Sequence, residues 1–235
     1  MTTDRKTVLV PVVLTGLLLG TAACASSGGA DAPAGGGKPS FAQVKSTVQG
    51  LGPDPSCPFG LDLAGALKAV GIERGVTPAD GTAGRPVRAE VVPPQEARPL
   101  PSGVTPTPAT ASVPARPETV QVWCSYTAGT TPVEIVLLAA PAERIAVNLA
   151  LPYIQQAGGL TTDQLVAAST DQPAPGAATT TPGRGSVGIA RLAVADRGDL
   201  ALLVSQGTGA TSPDPALTGE PLRTLAEKLA AQVHV

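Results

Sequence analysis

The compartment in which a chain folds restricts how it can fold, and the opening residues of this one set the compartment. Arg5 and Lys6 form a short basic start, an apolar run interrupted by Pro11 follows from Val8 to Leu19, and small residues lead to Cys24. Basic, apolar and small-residue regions in that order are the layout of a secretory signal peptide. The run falls short of the roughly 20 apolar residues a membrane-spanning helix needs. Cleavage before Cys24 is therefore expected, with 1–23 as the leader, and the remaining chain folds outside the cytoplasm.

The stretch Leu17-Leu18-Leu19-Gly20-Thr21-Ala22-Ala23-Cys24 resembles the lipobox of bacterial lipoproteins, in which the Cys becomes the acylated first residue of the mature protein. Thr21 stands where the commonest form of that motif has Leu, and the resemblance covers only the leader. It implies a diacylglyceryl thioether on Cys24, and two acyl chains anchor a protein stably where one does not. The implied location is the extracytoplasmic face of the cell membrane, with the membrane itself as a partner through Cys24. An ordinary secreted protein with a chance Cys24, and an uncleaved signal anchor, are the alternatives. After Cys24, residues 25–39 are Ser, Gly, Ala and Pro apart from Asp31 and Lys38, with no large apolar side chain. Such a composition cannot offset its ordering entropy, so it reads as a flexible tether.

What remains, 40–235, suffices for a single domain with loops. The formal net charge is -2 for the full chain, and the basic residues are scattered. Nucleic-acid binding thus has no electrostatic footing. Aromatics are few, namely Phe41, Phe59, Trp123, Tyr126 and Tyr153, which argues against a stacking platform for bases or sugars. Usage rich in Ala, Gly, Pro, Val and Thr resembles that of high-GC actinobacterial proteins.

With Cys24 assigned to lipid by the lipobox resemblance, Cys57 and Cys124 are left as an even pair in an exported chain. In an oxidising compartment such a pair is most simply a disulfide. A reactive thiol at Cys124 is the competing reading. It needs a nearby imidazole, and the single His, His234, is one residue from the C-terminus.

Ser40-Phe41-Ala42-Gln43 has capping-box form and opens a helix with Phe41, Val44 and Val48 on one face, stopped at Gly50. Leu63, Ala66, Leu67 and Val70 mark a second helix, with Cys57 near its entrance. From Val76 to Pro117 the chain is rich in Pro, Ala, Thr, Gly and Arg, so a disordered insertion is expected over about 77–117, relieved by an edge strand at Val87–Val92. Its Thr105–Ser112 run is plain linker or a site for O-linked sugar.

Val120, Val122, Cys124 and Tyr126 alternate with Gln121, Trp123 and Ser125, the period of a strand, and Val133 to Ala140 completes a hairpin. Pro141 is expected to start a helix through Ile145, Leu149 and Tyr153 that Pro152 kinks or splits. Thr162–Val166 adds a short helical turn, and 171–184 reads as loop. Val187–Val194 and Leu200–Ser205 form a second hairpin around Asp196-Arg197-Gly198-Asp199. A last helix runs from Thr218 through Leu222, Leu225, Leu229 and Val233, with an apolar stripe that wants a sheet beneath it. The expected fold class is α+β, an antiparallel sheet of two hairpins packed by helices, with one disulfide and a long Pro-rich insertion.

No catalytic constellation is expected, since a single terminal His supports neither a Ser-His-Asp nor a Cys-His arrangement. No metal-ligand spacing and no phosphate-binding loop are present, so no metal or cofactor is expected. Asp62, Glu134, Glu143 and Asp163 are carboxylates for acid–base work only by virtue of being acidic. The Arg-Gly-Asp tripeptide at 197–199 raises adhesion, although so short a run arises easily by chance. Trp123 either lines a groove for a small apolar ligand or covers the second face of the sheet under a helix.

Cys57-Pro58 before a helix, Trp123-Cys124 in the first hairpin and the lipobox-like leader together resemble the two-cysteine extracytoplasmic lipoproteins of actinobacteria. More distantly they resemble the disulfide-bearing sensor domains outside receptor kinases of that group. The expectation is a membrane-anchored, non-enzymatic interaction or sensor module with a protein partner in the envelope. A carrier of a small apolar ligand is the alternative, and an enzyme comes third.

Overall fold

Ser40 fixes the start of the first helix, α1 (Phe41–Gln49), with both halves of the capping box: Gln43 N donates to its hydroxyl at 3.2 Å and its own N–H donates to Gln43 Oε1 at 2.9 Å. The computed structural model describes residues 37–81, 84–100, 102–103, 105, 112–207 and 213–235. The leader, Cys24 and the tether up to residue 36 lie outside the described residues, as does most of the Thr105–Ser112 run. Pro39 is already buried, and its carbonyl accepts from Ala195 N at 3.0 Å. Among the described residues no helix is long and apolar enough to cross a membrane.

Helix α2 (Leu63–Ala69) is capped by Asp62, which accepts from Gly65 N at 2.9 Å. Then come β1 (Val76–Pro78), β2 (Val87–Val92), β3 (Arg98–Pro99), β4 (Ser112–Val113) and the two long strands β5 (Thr119–Ala128) and β6 (Thr131–Ala140). Three helices follow, α3 (Ala146–Leu149), α4 (Leu151–Gly158) and α5 (Thr162–Thr170), then β7 (Ala178–Thr180), β8 (Val187–Leu192), β9 (Asp199–Ser205) and α6 (Gly219–Ala230). The fold is α+β, as its alternating hairpins and striped helices imply.

Among the described residues seven strands make one sheet, in the order β1, β5, β6, β9, β8, β7, with β2 also on the open edge of β5. Every pairing is antiparallel. The two expected hairpins, β5–β6 and β8–β9, join along β6 and β9, where Ile135 faces Val204 and Leu137 faces Leu202. Within 77–117 the expected edge strand at Val87–Val92 is present as β2, and the described part also holds β1, on the same sheet, and the short strands β3 and β4. Strand β2 pairs with β5 from Val87–Cys124 to Val92–Thr119, β1 continues the same edge, and β3 and β4 form a small ribbon extended by a Gln95–Arg116 bridge. An unpaired edge of a ten-residue strand offers ladder partners that outweigh the weak local propensity. The prolines fit because they bracket an edge strand.

Helices lie on both faces. On one, Leu67 of α2 and Leu222, Leu225 and Leu229 of α6 are buried with Leu137 and Leu202 of the sheet, and Val44 and Val48 of α1 close the layer. Helix α6 approaches closely because residue 188 is Gly: a Cβ there would lie 2.9 Å from the Leu222 carbonyl oxygen. On the other, Val147, Ile154 and Leu160 bury Val136, Leu138, Ile189 and Leu203.

Two local expectations are corrected and one is met. Pro141 does not start a helix, because Arg144 takes a left-handed φ of 61° and delays the helical turn to Ala146. The split expected at Pro152 is present: Pro152 sits in the first turn of α4, and α3 and α4 part at Ala150. The turn at Thr162 is a nine-residue helix, opened by a second capping box between Thr161 and Gln164.

Candidate functional site

Cys57 and Cys124 are joined, with Cα atoms 5.7 Å apart and 67 residues of separation. Cys124 is 1 % exposed in the first core. Its sulfur is consumed in the bond, so a thiol nucleophile is not available there. His234 packs far from that role, against the Phe59–Gly60 turn, where its N–H donates to the Phe59 carbonyl at 3.3 Å.

Trp123 flanks the second core, half-buried, on the face opposite Cys124. Register places Arg88 of β2 directly beside it, and the guanidinium lies over the indole at 5.1 Å from the ring centroid. Arg88 also bonds Glu90 at 2.8 Å, and Glu90 in turn sits beside Gln121. The second-face helices α3 and α4 lie over β6, β8 and β9. The Arg88, Glu90 and Trp123 side chains thus form a charged and aromatic surface at the β5 edge, with Arg88 and Glu90 at 43 and 36 % exposure.

The most unusual chemistry in the second layer is around Glu134, the one charged residue in an otherwise apolar strand. Glu134 is 5 % exposed and stands between Ser125 on β5 and Ser205 on β9. Tyr153 of α4 reaches both: its hydroxyl donates to Glu134 Oε2 at 3.2 Å and lies 2.7 Å from Ser205 Oγ. Gly207 N donates to the same Ser205 oxygen at 3.1 Å. A consistent set of donors runs from Gly207 N–H through Ser205 and Tyr153 to the carboxylate. Burial first, and then the Glu134 carboxylate, push the Tyr153 phenol far above its ordinary range, with the Ser205 contact opposing. Tyr153 is a fixed neutral donor, which suits a structural strut and not a proton shuttle.

A second buried pair closes the opposite end of that layer. Arg191 Nη2 and Nε donate to Asp199 Oδ1 at 2.8 and 3.0 Å, and Asp199 Oδ2 accepts from Ala146 N, the first residue of α3, at 2.8 Å. Asp199 is the acid of the Arg-Gly-Asp tripeptide, and at 2 % exposure it does not present itself to another molecule. Asp196 of the same turn accepts from Phe41 N and Gly198 N. The four carboxylates considered for acid–base work stay apart: Asp62 caps α2, Asp163 lies exposed in the first turn of α5, Glu143 is exposed, and Glu134 is bonded as described. Among the described residues no group of three His, Cys, Asp or Glu side chains could hold a metal ion.

No family model, curated protein or solved structure matches the chain.

Proposed function

We propose that this chain is a lipid-anchored module of the cell envelope, held on the extracytoplasmic face of the cell membrane through Cys24, that acts by binding a protein partner and not by turnover. The observation that carries it is the surface at the β5 edge. Trp and Arg are the side chains most often responsible for binding energy at protein interfaces, and here Arg88 lies over Trp123 beside a helix-covered region. Edge strand β2 also offers backbone groups to an extended segment of a partner.

Packing between sheet and helices favours this reading over the carrier. Ile154, Val147, Ile189 and Leu203 are at most 2 % exposed and fill the second interlayer, and the Leu side chains of α6 fill the first. A carrier needs an apolar chamber there.

The test is crosslinking in intact cells that express the full chain. A partner captured by the wild type and lost from Trp123→Ala and Arg88→Glu variants of unchanged stability supports the proposal. Equal capture by all three sinks it, as does a native mass excess that disappears on denaturation. Cys24→Ser separates the anchor from the binding surface: it should release the protein from the membrane fraction, and retention would refute the lipid anchor.

A further inference from the structure

We infer that the free edge of β2 is an interface with a second copy of this chain, the two β2 strands pairing antiparallel about a two-fold axis at Ala89. The inference rests on the proposed binding role of that edge and not on the Trp123 surface. Ser125 N donates to the Pro86 carbonyl at 2.8 Å, in the register that sets Val87 opposite Cys124 and Val92 opposite Thr119. Backbone groups alternate in direction along a strand, so Arg88, Glu90 and Val92 point theirs into β5, and Val87, Ala89 and Val91 point theirs away from it. Those outward N–H and C=O groups have no partner among the described residues. A row of this kind is a template for another strand. It ends at Pro93, the next outward position, which has no N–H to offer.

The residues of the strand select the partner. In a pair centred on Ala89, Val87 of one copy faces Val91 of the other, and Arg88 faces Glu90. Each outward residue then exchanges both its backbone bonds with the residue opposite. A shift by one residue in one strand sets outward groups against groups already bonded to β5. Centring on Arg88 or on Glu90 sets like charges directly opposite each other, which is destabilising. An extended segment of another protein needs no such self-complementarity, whereas a closed two-fold pair, with the same patch on both copies, does.

Both faces of the strand suit the pair. Val87, Ala89 and Val91 lie on the Cys124 face and pack against the first core, so pairing extends its apolar layer across the axis. Ala89, at the axis, has the smallest side chain of the three and meets its own copy without overlap. On the other face Arg88 and Glu90 are bonded to each other, with the guanidinium held over Trp123. Across the axis each gains an opposite charge and keeps its own neighbour, so four charges alternate in sign. The helices of that face lie over β6, β8 and β9, and the connection from β1 to β2 folds back over it, where a Cβ on Gly81 would run into the Ser125 hydroxyl. Past Pro93 and Pro94 the register of the ribbon continues in exposed residues, Gln95 facing Arg116 and Arg98 facing Val113. Antiparallel pairing sets this arm at the β1 end of the other copy, where it adds area to a strand pair that is small by itself.

The experiment is native mass spectrometry of the full chain released from detergent over a dilution series. Wild type should show a mass of two copies. Arg88→Glu alone and Glu90→Arg alone set like charges opposite in a self-pair, and each should weaken self-association about tenfold or more. Mixing the two variants should restore a dimer that holds one copy of each, because Glu then faces Arg at both positions. A role for Arg88 and Glu90 confined to one chain gives no such rescue. Trp123→Ala should keep the dimer while losing the envelope partner, so the two readings fail separately. A single-copy mass for wild type at every concentration overturns the interface. So do single variants that dimerise like wild type, and so does a mixture that forms no mixed dimer.

Discussion

Reducing the Cys57–Cys124 bond is the perturbation whose size follows most directly from the structure. The bond closes a loop of 67 residues, for which the chain-entropy model gives about 4 kcal/mol at 25 °C. For a domain of this size each kcal/mol moves the melting temperature by about 2–4 °C, so reduction should lower it by roughly 8–16 °C. In urea, with a slope of about 2 kcal/mol per molar, the midpoint should fall by around 2 M. Oxidised and reduced wild type are compared first, because reduction breaks the crosslink but leaves both sulfurs in place. Cys57→Ala with Cys124→Ala is the second arm; it also empties sulfur volume at Cys124, which is 1 % exposed.

Local consequences should accompany the global one. Between the two cysteines lie β1 to β4, and β1 and β2 are held to the sheet by β5 alone. Hydrogen exchange in the reduced protein should therefore speed up at Val87–Val92 before it does at β6 and β9, which are paired on both sides. Coincident urea midpoints for the oxidised and reduced protein would refute the crosslink as a stabiliser. A loss seen only in the double Ala variant would assign the effect to packing of the sulfurs.

Tyr153→Phe removes one donor to Glu134 and one of the partners of Ser205, and should cost about 1–3 kcal/mol in chemical denaturation, since two buried groups each lose a hydrogen bond; an unchanged midpoint would remove the strut role. Arg191→Met leaves Asp199 charged and buried, with an expected loss of about 3–5 kcal/mol, and adding Asp199→Asn should recover part of it. A double variant as unstable as the sum of the singles would show that the two residues are not coupled. Hydrogen bonding from Arg74, aided by Ala216 N and Thr131, holds the Asp214 carboxyl down to about 2. Its folded value lies below the unfolded one, so the pair's contribution is fully present above about pH 4 and is lost as pH falls toward 2. Wild type should lose on the order of 1 kcal/mol more than Arg74→Met over that interval, the pair being partly solvated, and equal acid sensitivity of the two proteins would contradict this.

Legibility in the sequence followed the range of the interactions that decide each element. Strand β5 carries its partners' imprint as period two, β6, β8 and β9 as short apolar runs and helix α6 as an apolar stripe, and they fall where those patterns put them. Strands β1, β3, β4 and β7 are two or three residues long and have no pattern of their own. They exist because another strand presents unpaired backbone beside them, which no local window contains. Helix α5 has no fully buried residue to leave a stripe, yet its Thr161-Thr162-Asp163-Gln164 capping box is as plain in the sequence as the one at Ser40. Arg144 takes its left-handed turn without any local residue preference to announce it.

The site residues divide in the same way. The disulfide follows from the even pair, Cys57 and Cys124, left once the leader is read as an export signal and Cys24 is set aside, whereas the Glu134–Tyr153–Ser205 cluster depends on strand register and on where α4 lands. A signal for it was nevertheless present. Val133-Glu134-Ile135-Val136-Leu137-Leu138-Ala139-Ala140 and Leu200-Ala201-Leu202-Leu203-Val204 are almost continuously apolar, the pattern of strands buried on both faces. Such strands require helices on both sides of the sheet, and a carboxylate within one of them requires a buried donor from the covering layer. Of the side chains on the helices between β6 and β8, Tyr153 is the one that combines an apolar body, large enough to pack in that layer, with a hydroxyl at its tip that can reach the carboxylate.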